Sequence, residues 1–525
     1  MLAYYVIVPI LTAILLYTVR IEKVARIIAI IAQTGMFGFA VYLFALTQDG
    51  EIINAIGNYA NVMGIVLRAD ALSAVFVLLT AFVFLIAAFY SFNKQTSKLF
   101  WFLLFVWQAT LIGIFLTGDL FNVFVLLEIA TVTVTVLIMF DRNNRSLYDG
   151  MIYMMVNIVI MQFYLFGLGY IYKLTGVMDM YTSAALLNET AVEQLYLPYA
   201  LLMTFVALKC ALIPLFSWLP KAHGTPGAPS VVSAVLSGLH IKSGVYLFLR
   251  FQAVFQQVDG SAFFLTVGTV TCIAGFLMAM SQKDIKLILA YHTISQVGLI
   301  MIGLNLGGPY SHIGGLYHVI NHAAFKAALF LTAGIIEKAY GTRNVYEIKG
   351  VLKGMPVVGA VTVMAVLGIT GAPFFNGSIS KYFIGSGVGM PMSGIMMFIN
   401  LGTIISFIKY SGILGGKTDR GVTKPGKIQQ GSVLVLGLLC LSLGLWGEWF
   451  IALLFNNTVH VDRMGYLEKS IIFAVTVAAG YFIFKYFVKG SPLFERIRKI
   501  DLSFKAICAA MGIFFITVLL SVSLL

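Results

Sequence analysis

The chain has 525 residues, of which 60% are apolar and only 10% charged, a balance that excludes an ordinary water-soluble domain of this size. Its net charge of +13 would suit nucleic acid only if a basic soluble segment carried it, and none is present. Four isolated cysteines, Cys210, Cys272, Cys440 and Cys508, spell neither a Cys-x-x-Cys metal site nor an iron–sulfur cluster, so no cofactor or metal is expected and any redox chemistry belongs to a partner.

Apolar runs long enough to cross about 30 Å of hydrocarbon recur from end to end, roughly sixteen in all. The first, Met1 to Val19, passes through Pro9 with no small-residue cleavage motif and reads as a retained span. The connectors alternate in charge. Arg20, Lys23 and Arg26 follow the first span, whereas the next connector offers Asp49, Glu51 and Asp70 with only Arg68. Lys94 and Lys98, Arg142 and Arg145, Lys283 and Lys286, Arg343 to Lys353, Lys417 to Lys427 and Lys485 to Lys499 fall on the first side. That places about 25 basic residues on one face and about 5 on the other, so the basic face is cytoplasmic and both termini face outward.

Asp70 and Asp119 stand where they can cap helix N-termini. Glu128 is the only carboxylate that falls deep within an apolar run, Leu120 to Ala130. Two spans are interrupted, at Leu212-Ile213-Pro214-Leu215-Phe216 and at Gly371-Ala372-Pro373-Phe374-Phe375-Asn376-Gly377. In this topology they cross in opposite directions, which is the sequence signature of an inverted repeat with a polar pathway between its halves. Each break lies near a deep lysine.

Four lysines, Lys209, Lys242, Lys326 and Lys381, lie too far from an interface for their stems to reach water. Ionisable groups at that depth cost several kcal/mol unless paired or hydrated, so they mark function by default. Four ammonium groups facing one carboxylate cannot all be charged at once. An amine that gains and loses its proton is what a proton relay requires. His318, His322 and Lys326 recur every four residues, which puts them on one helical face. Haem ligation is the competing reading of the membrane histidines, His240 and His292 included, and a hydrogen-bonded core histidine is the plain reading of those two. Lys283-Asp284-Ile285-Lys286 reads as a cytoplasmic turn whose charges set topology.

Asp119-Leu120-Phe121-Asn122 leading to Glu128, Trp218-Leu219-Pro220-Lys221-Ala222-His223 before Ala228-Pro229-Ser230, and Gln282-Lys283-Asp284-Ile285-Lys286 through Tyr291, Ser295 and Gln296 together resemble the proton-pumping antiporter-like family. Asn321-His322-Ala323-Ala324-Phe325-Lys326 belongs to the same pattern. That family comprises the large membrane-arm subunits of complex I, the Mrp sodium/proton antiporter subunits and their counterparts in membrane-bound hydrogenases. The resemblance runs over about residues 60–415 and is nearest the Mrp D-type subunit and its hydrogenase-like relatives. It implies an all-α fold of about 14 core transmembrane helices with two inverted five-helix repeats, broken helices 7 and 12, and here about two extra C-terminal helices near 469–488 and 504–525.

The divisions it implies are 1–98, a first repeat 99–251, a second repeat 260–415, and C-terminal helices 429–525. It further implies that Glu128 pairs with Lys209, that Lys242 links two half-channels, that His322 and Lys326 continue the axis, and that Lys381 is the exit-side station. The expected task is proton movement, with sodium as a candidate exchanged ion, in the cell membrane of a prokaryote. The expected partners are other membrane subunits and a peripheral redox arm. An organic-solute transporter and a purely structural membrane-arm subunit are the alternative readings.

Overall fold

A computed structural model describes residues 1–58, 64–93, 97–417 and 423–524. Lys94 and part of the Lys417 to Lys427 connector lie outside them. Among the described residues, 13 helices are long and apolar enough to cross a membrane, and Tyr4–Thr18 and Pro356–Thr370 are shorter apolar helices. With the helix Val192–Lys209 these match the apolar runs of the sequence. The chain is an all-α polytopic membrane protein.

The residues fall into two compact units, one of 1–235, 239–260 and 502–525 and the other of 236–238 and 261–501. In the first, a two-stranded antiparallel sheet of Ile52–Ala55 and Val66–Ala69 precedes the helix Ala71–Ser91. Asp70 caps that helix through the Ser73 backbone and hydroxyl, a reciprocal capping box. Arg68 pairs with Glu51 at 3.0 Å, and Asp70 accepts from Arg250 at 2.7 Å. Asp119 likewise caps Leu120–Ile138. The last helix, Phe504–Ser523, returns to pack on Val192–Lys209.

Burial would raise the Asp70 carboxyl, but the hydrogen bond and charge of Arg250 and the Ser73 contacts outweigh it and hold the group below its ordinary value. A depressed carboxyl contributes stability that is present above its unfolded pKa and lost as pH falls through its folded one. Asp70→Asn, which leaves the mostly buried Arg250 without its counter-charge, is therefore expected to cost about 2 kcal/mol at neutral pH. Thermal unfolding at a series of pH values checks this, because the difference from the parent must shrink below the ordinary carboxylate range.

In the second unit, helices Ser261–Ser281 and Ile285–Asn305 approach closely because small residues face each other. A Cβ on Gly298 would lie 2.6 Å from the Gly268 carbonyl oxygen. Lipid tails supply little hydrophobic drive between helices, so such backbone contact and interhelical hydrogen bonds carry the packing. Cys272 Sγ donates to the Ser295 carbonyl at 2.9 Å, and Ser295 Oγ donates back to the Cys272 carbonyl at 3.0 Å.

The Lys283 to Lys286 turn is more than a topology signal. Lys286 is buried and pairs with Glu337 at 2.7 Å, while Arg343 pairs with Asp284 at 2.8 Å. The charges tie the start of one helix to the end of the helix Ser311–Tyr340, a long-range partnership that local sequence cannot reveal.

Candidate functional site

Both interrupted spans are broken in the structure. The first helix ends at Lys209 and resumes at Trp218–Gly224; the second ends at Thr370 and resumes at Asn376–Ile384. Each break carries a non-glycine residue in the left-handed region, Ala211 at φ 51° and Phe374 at φ 70°, a conformation that costs about 1 kcal/mol and persists only where the surroundings enforce it. A break frees helix-end carbonyls that lipid cannot satisfy. Trp218 Nε1 donates to the Leu208 carbonyl at 3.0 Å, and Lys381 Nζ donates to the Ile369 carbonyl at 2.8 Å.

In the first unit, Lys209 is buried and its Nζ donates to Asn157 Oδ1 at 2.6 Å. Glu128 is half-buried on Leu120–Ile138, and the direct hydrogen bond of Lys209 goes to the asparagine rather than to this carboxylate. Lys242 is fully buried on Ile241–Val254. Gly244, two residues further on, lets that helix reach the break, since a Cβ there would lie 3.0 Å from the carbonyl carbon of Lys209.

His240 stands apart from the lysines in chemistry. Trp107 Nε1 donates to its Nδ1 at 3.3 Å, and its Nε2 meets the Tyr153 hydroxyl at 3.2 Å. An indole N–H can only donate, so Nδ1 is an acceptor and the ring is held as one neutral tautomer. Both nitrogens are occupied, which fits a core histidine and leaves none for haem.

In the second unit, His318, His322 and Lys326 are all fully buried on Ser311–Tyr340. Lys326 Nζ donates to the Leu289 carbonyl at 2.7 Å. His318 Nε2 meets Gln296 Oε1 at 3.1 Å and its Nδ1 meets Ser380 Oγ at 2.8 Å. Ser380 precedes Lys381, whose Nζ also donates to Asn400 Oδ1 at 2.8 Å. The contrast with His240 is chemical. A serine hydroxyl can donate or accept, so His318 can take a second proton at Nδ1 and keep both hydrogen bonds.

Asn157, Ser380 and Asn400 do not stand out in the sequence, and Gln296 stands out only within the motif that ends on it, because neutral polar side chains are common in membrane helices and only their placement sets them apart. Sequence reasoning also missed Lys409, buried near the end of Met392–Ser411. Lys409 donates to the carbonyls of Ala279, Met280 and Gln282 at 3.0, 2.6 and 2.6 Å. Three acceptors saturate an ammonium and cap the end of Ser261–Ser281, a structural use of a deep lysine.

His292 differs again from the plain reading. It is fully buried against the Phe407 ring, 4.6 Å between centroids, and neither ring nitrogen has a hydrogen-bond partner among the described residues. A buried unsatisfied polar group costs stability, and replacing it by an apolar group of similar size is neutral or favourable. His292→Leu is therefore expected to leave the melting temperature of the purified protein unchanged or raised, as read by thermal unfolding; a large drop would show that the ring is bonded.

Residues 117–408 match the model of the family described as NADH:quinone oxidoreductase/Mrp antiporter, TM. The chain is 31% identical over 370 residues to the D-type subunit of a Na(+)/H(+) antiporter from Alkalihalophilus pseudofirmus, covering 69% of this chain and 75% of that one. Its fold is similar to a chain of the Mrp complex from Dietzia sp., with TM-score 0.80 and 23% identity over 92% of this chain and 98% of that one. It is also similar to a chain of respiratory complex I from Thermus thermophilus, with TM-score 0.75 and 21% identity over 91% and 100%. The match over more than half of its length makes this chain a member of the NADH:quinone oxidoreductase/Mrp antiporter transmembrane family.

Proposed function

We propose that this chain is an ion-translocating subunit of a multisubunit Mrp-type antiporter or complex I-like assembly in a prokaryotic cell membrane, and that it moves protons. In this reading Glu128, Lys209 and Lys242 handle protons in the first unit, and His318, His322, Lys326 and Lys381 in the second. The proposed inverted repeats are 99–251 and 260–415, and the proposed partners are the other antiporter-like and small membrane subunits. Sodium is the counter-ion in the antiporter form, and a peripheral redox arm supplies the drive in the complex I-like form.

One observation carries the proposal. Among the described residues Lys209 and Lys381, each beside a helix break, donate to one and two neutral oxygens, which the two N–H groups of a neutral amine still satisfy, whereas the structural Lys286 faces a carboxylate and Lys409 three carbonyls that need all three ammonium protons. An amide or carbonyl oxygen accepts from an amine as well as from an ammonium, so losing the proton breaks no required contact. Motion at a break changes the distance to the nearest charge, and in a low dielectric that changes the cost of holding a proton.

The test uses inverted vesicles that contain the native assembly and a pH-sensitive dye, with and without sodium. Lys381→Ala is expected to abolish the pH gradient while the assembly remains intact by subunit stoichiometry. A full gradient in that variant would instead favour the structural-subunit reading, and solute uptake that is insensitive to it would favour the transporter reading.

A further inference from the structure

The helix Arg463–Ile483 closes on a turn of π-helix, Phe484–Val488, and the chain then passes through the short helix Pro492–Arg498 to the last helix, Phe504–Ser523. This stretch lies beyond the region matched to the family. The helices before and after it are long and apolar enough to cross a membrane, so the segment between them emerges at a membrane surface. Lys485, Lys489, Arg496, Arg498 and Lys499, against Glu495 and Asp501, assign it to the basic face.

One side of the segment is fastened to the protein. Val488 is buried in an apolar core with Cys272, Phe276 and Ile399, and Phe484 and Phe494 pack against that core. Pro492–Arg498 lies on Ser261–Ser281. The other side is open and carries two kinds of group. Lys485, Lys489, Arg496 and Lys499 are exposed, and interleaved with them Tyr486, Phe487 and Leu493 are 61%, 65% and 60% exposed. Lys485 Nζ lies 5.2 Å from the centre of the Tyr486 ring, so amine and ring share one side. Of the two acids, Glu495 is approached by Arg498 at 3.8 Å, which leaves Asp501 as the other counter-charge of the segment.

Neither bulk water nor hydrocarbon suits such a strip. Large apolar side chains gain by leaving water, whereas ammonium and guanidinium groups lose heavily on entering lipid tails. The headgroup layer satisfies both, with rings and leucine at the level of the glycerol backbone and cations among phosphates. A cluster of about four to eight Lys and Arg immediately beyond a membrane helix favours anionic over zwitterionic lipid, because only the former carries net charge. We propose that residues 485–499 form a binding strip for anionic phospholipid, in which Lys485, Lys489, Arg496 and Lys499 hold the phosphates and Tyr486, Phe487 and Leu493 seat between the lipids. The strip is independent of the proton relay, since none of its residues is assigned there.

The test titrates the purified full chain in detergent with radiolabelled phosphatidylglycerol or phosphatidylcholine and counts the lipid retained through gel filtration. The parent should take up phosphatidylglycerol at a concentration at least about tenfold below that needed for phosphatidylcholine. Raising the salt to about 1 M, where the screening length falls to about 3 Å, should shrink that preference. Lys485→Gln, Lys489→Gln, Arg496→Gln and Lys499→Gln combined should abolish it. Four matched changes to glutamine elsewhere on the basic face, at exposed Lys338, Lys353, Lys424 and Lys427, should leave it in place. A full preference in the first variant, a preference in the parent that salt does not touch, or equal loss in both variants overturns the strip as a lipid site. Loss of a neighbouring subunit from the native assembly of the first variant, with lipid retention unchanged, overturns it in favour of a protein partner.

Discussion

Replacing Lys209 by alanine is expected to lower ion-driven gradient formation at least about a hundredfold, the scale of a lost proton-transfer group. The protein should still assemble. Asn157 loses its 2.6 Å donor but keeps its own hydrogen bond from Nδ2 to the Tyr153 carbonyl at 2.8 Å, so the stability cost is that of one unsatisfied acceptor, about 1 to 2 kcal/mol. Glu128→Gln should give the same transport loss at a smaller stability cost, because Glu128 is half-buried and the direct hydrogen bond of Lys209 goes to Asn157. Dye quenching in inverted vesicles reads the first quantity and thermal unfolding the second. Wild-type gradients in both variants would remove the first-unit lysine from the pathway.

The largest structural effect is expected at Gly377. The broken span can re-enter a helix at Asn376 only because the backbone at Gly377 lies against the Gly368 carbonyl oxygen, where an added Cβ would overlap it. The conflicting atom is backbone, so relief requires the two half-helices to separate. Gly377→Ala should cost about 3 kcal/mol and pull Lys381 away from Ile369, lowering both yield and melting temperature. Gly389→Ala is the matched control, since a Cβ there meets nothing within 4 Å, and it should behave as the parent does. A stable, active Gly377→Ala protein would mean that the break does not depend on this contact.

How far these features could be read from sequence depends on the range of the interaction behind them. The spans follow from the length of apolar runs, and both breaks from proline and glycine within them, so each was legible locally. The start of the helix Arg463–Ile483 was not. Its apolar run begins near 469, but the helix begins at Arg463, because Asp462 caps it through the Met464 and Gly465 backbone at 3.1 and 2.9 Å. Its first turns carry Arg463, Glu468 and Lys469, which hydropathy reads as connector.

The deep lysines were visible as costly residues, yet sequence could not sort them. Lys286 reads as part of a cytoplasmic turn and Lys409 passes unnoticed until the carboxylate and the carbonyls that hold them are seen. His240 and His318 are equally alike in sequence. A donor-only indole beside one and an ambivalent hydroxyl beside the other separate them, and those partners lie 133 and 62 residues away in the chain.

The proposed relay needs amines that release protons, and arginine tests it because a guanidinium keeps its charge in proteins. Lys209→Arg and Lys381→Arg, each in the native assembly and each checked for intact folding, should form no pH gradient in inverted vesicles. A gradient near the parent level in either variant would mean that a fixed positive charge suffices there, and the proton-exchange mechanism would be wrong at that lysine.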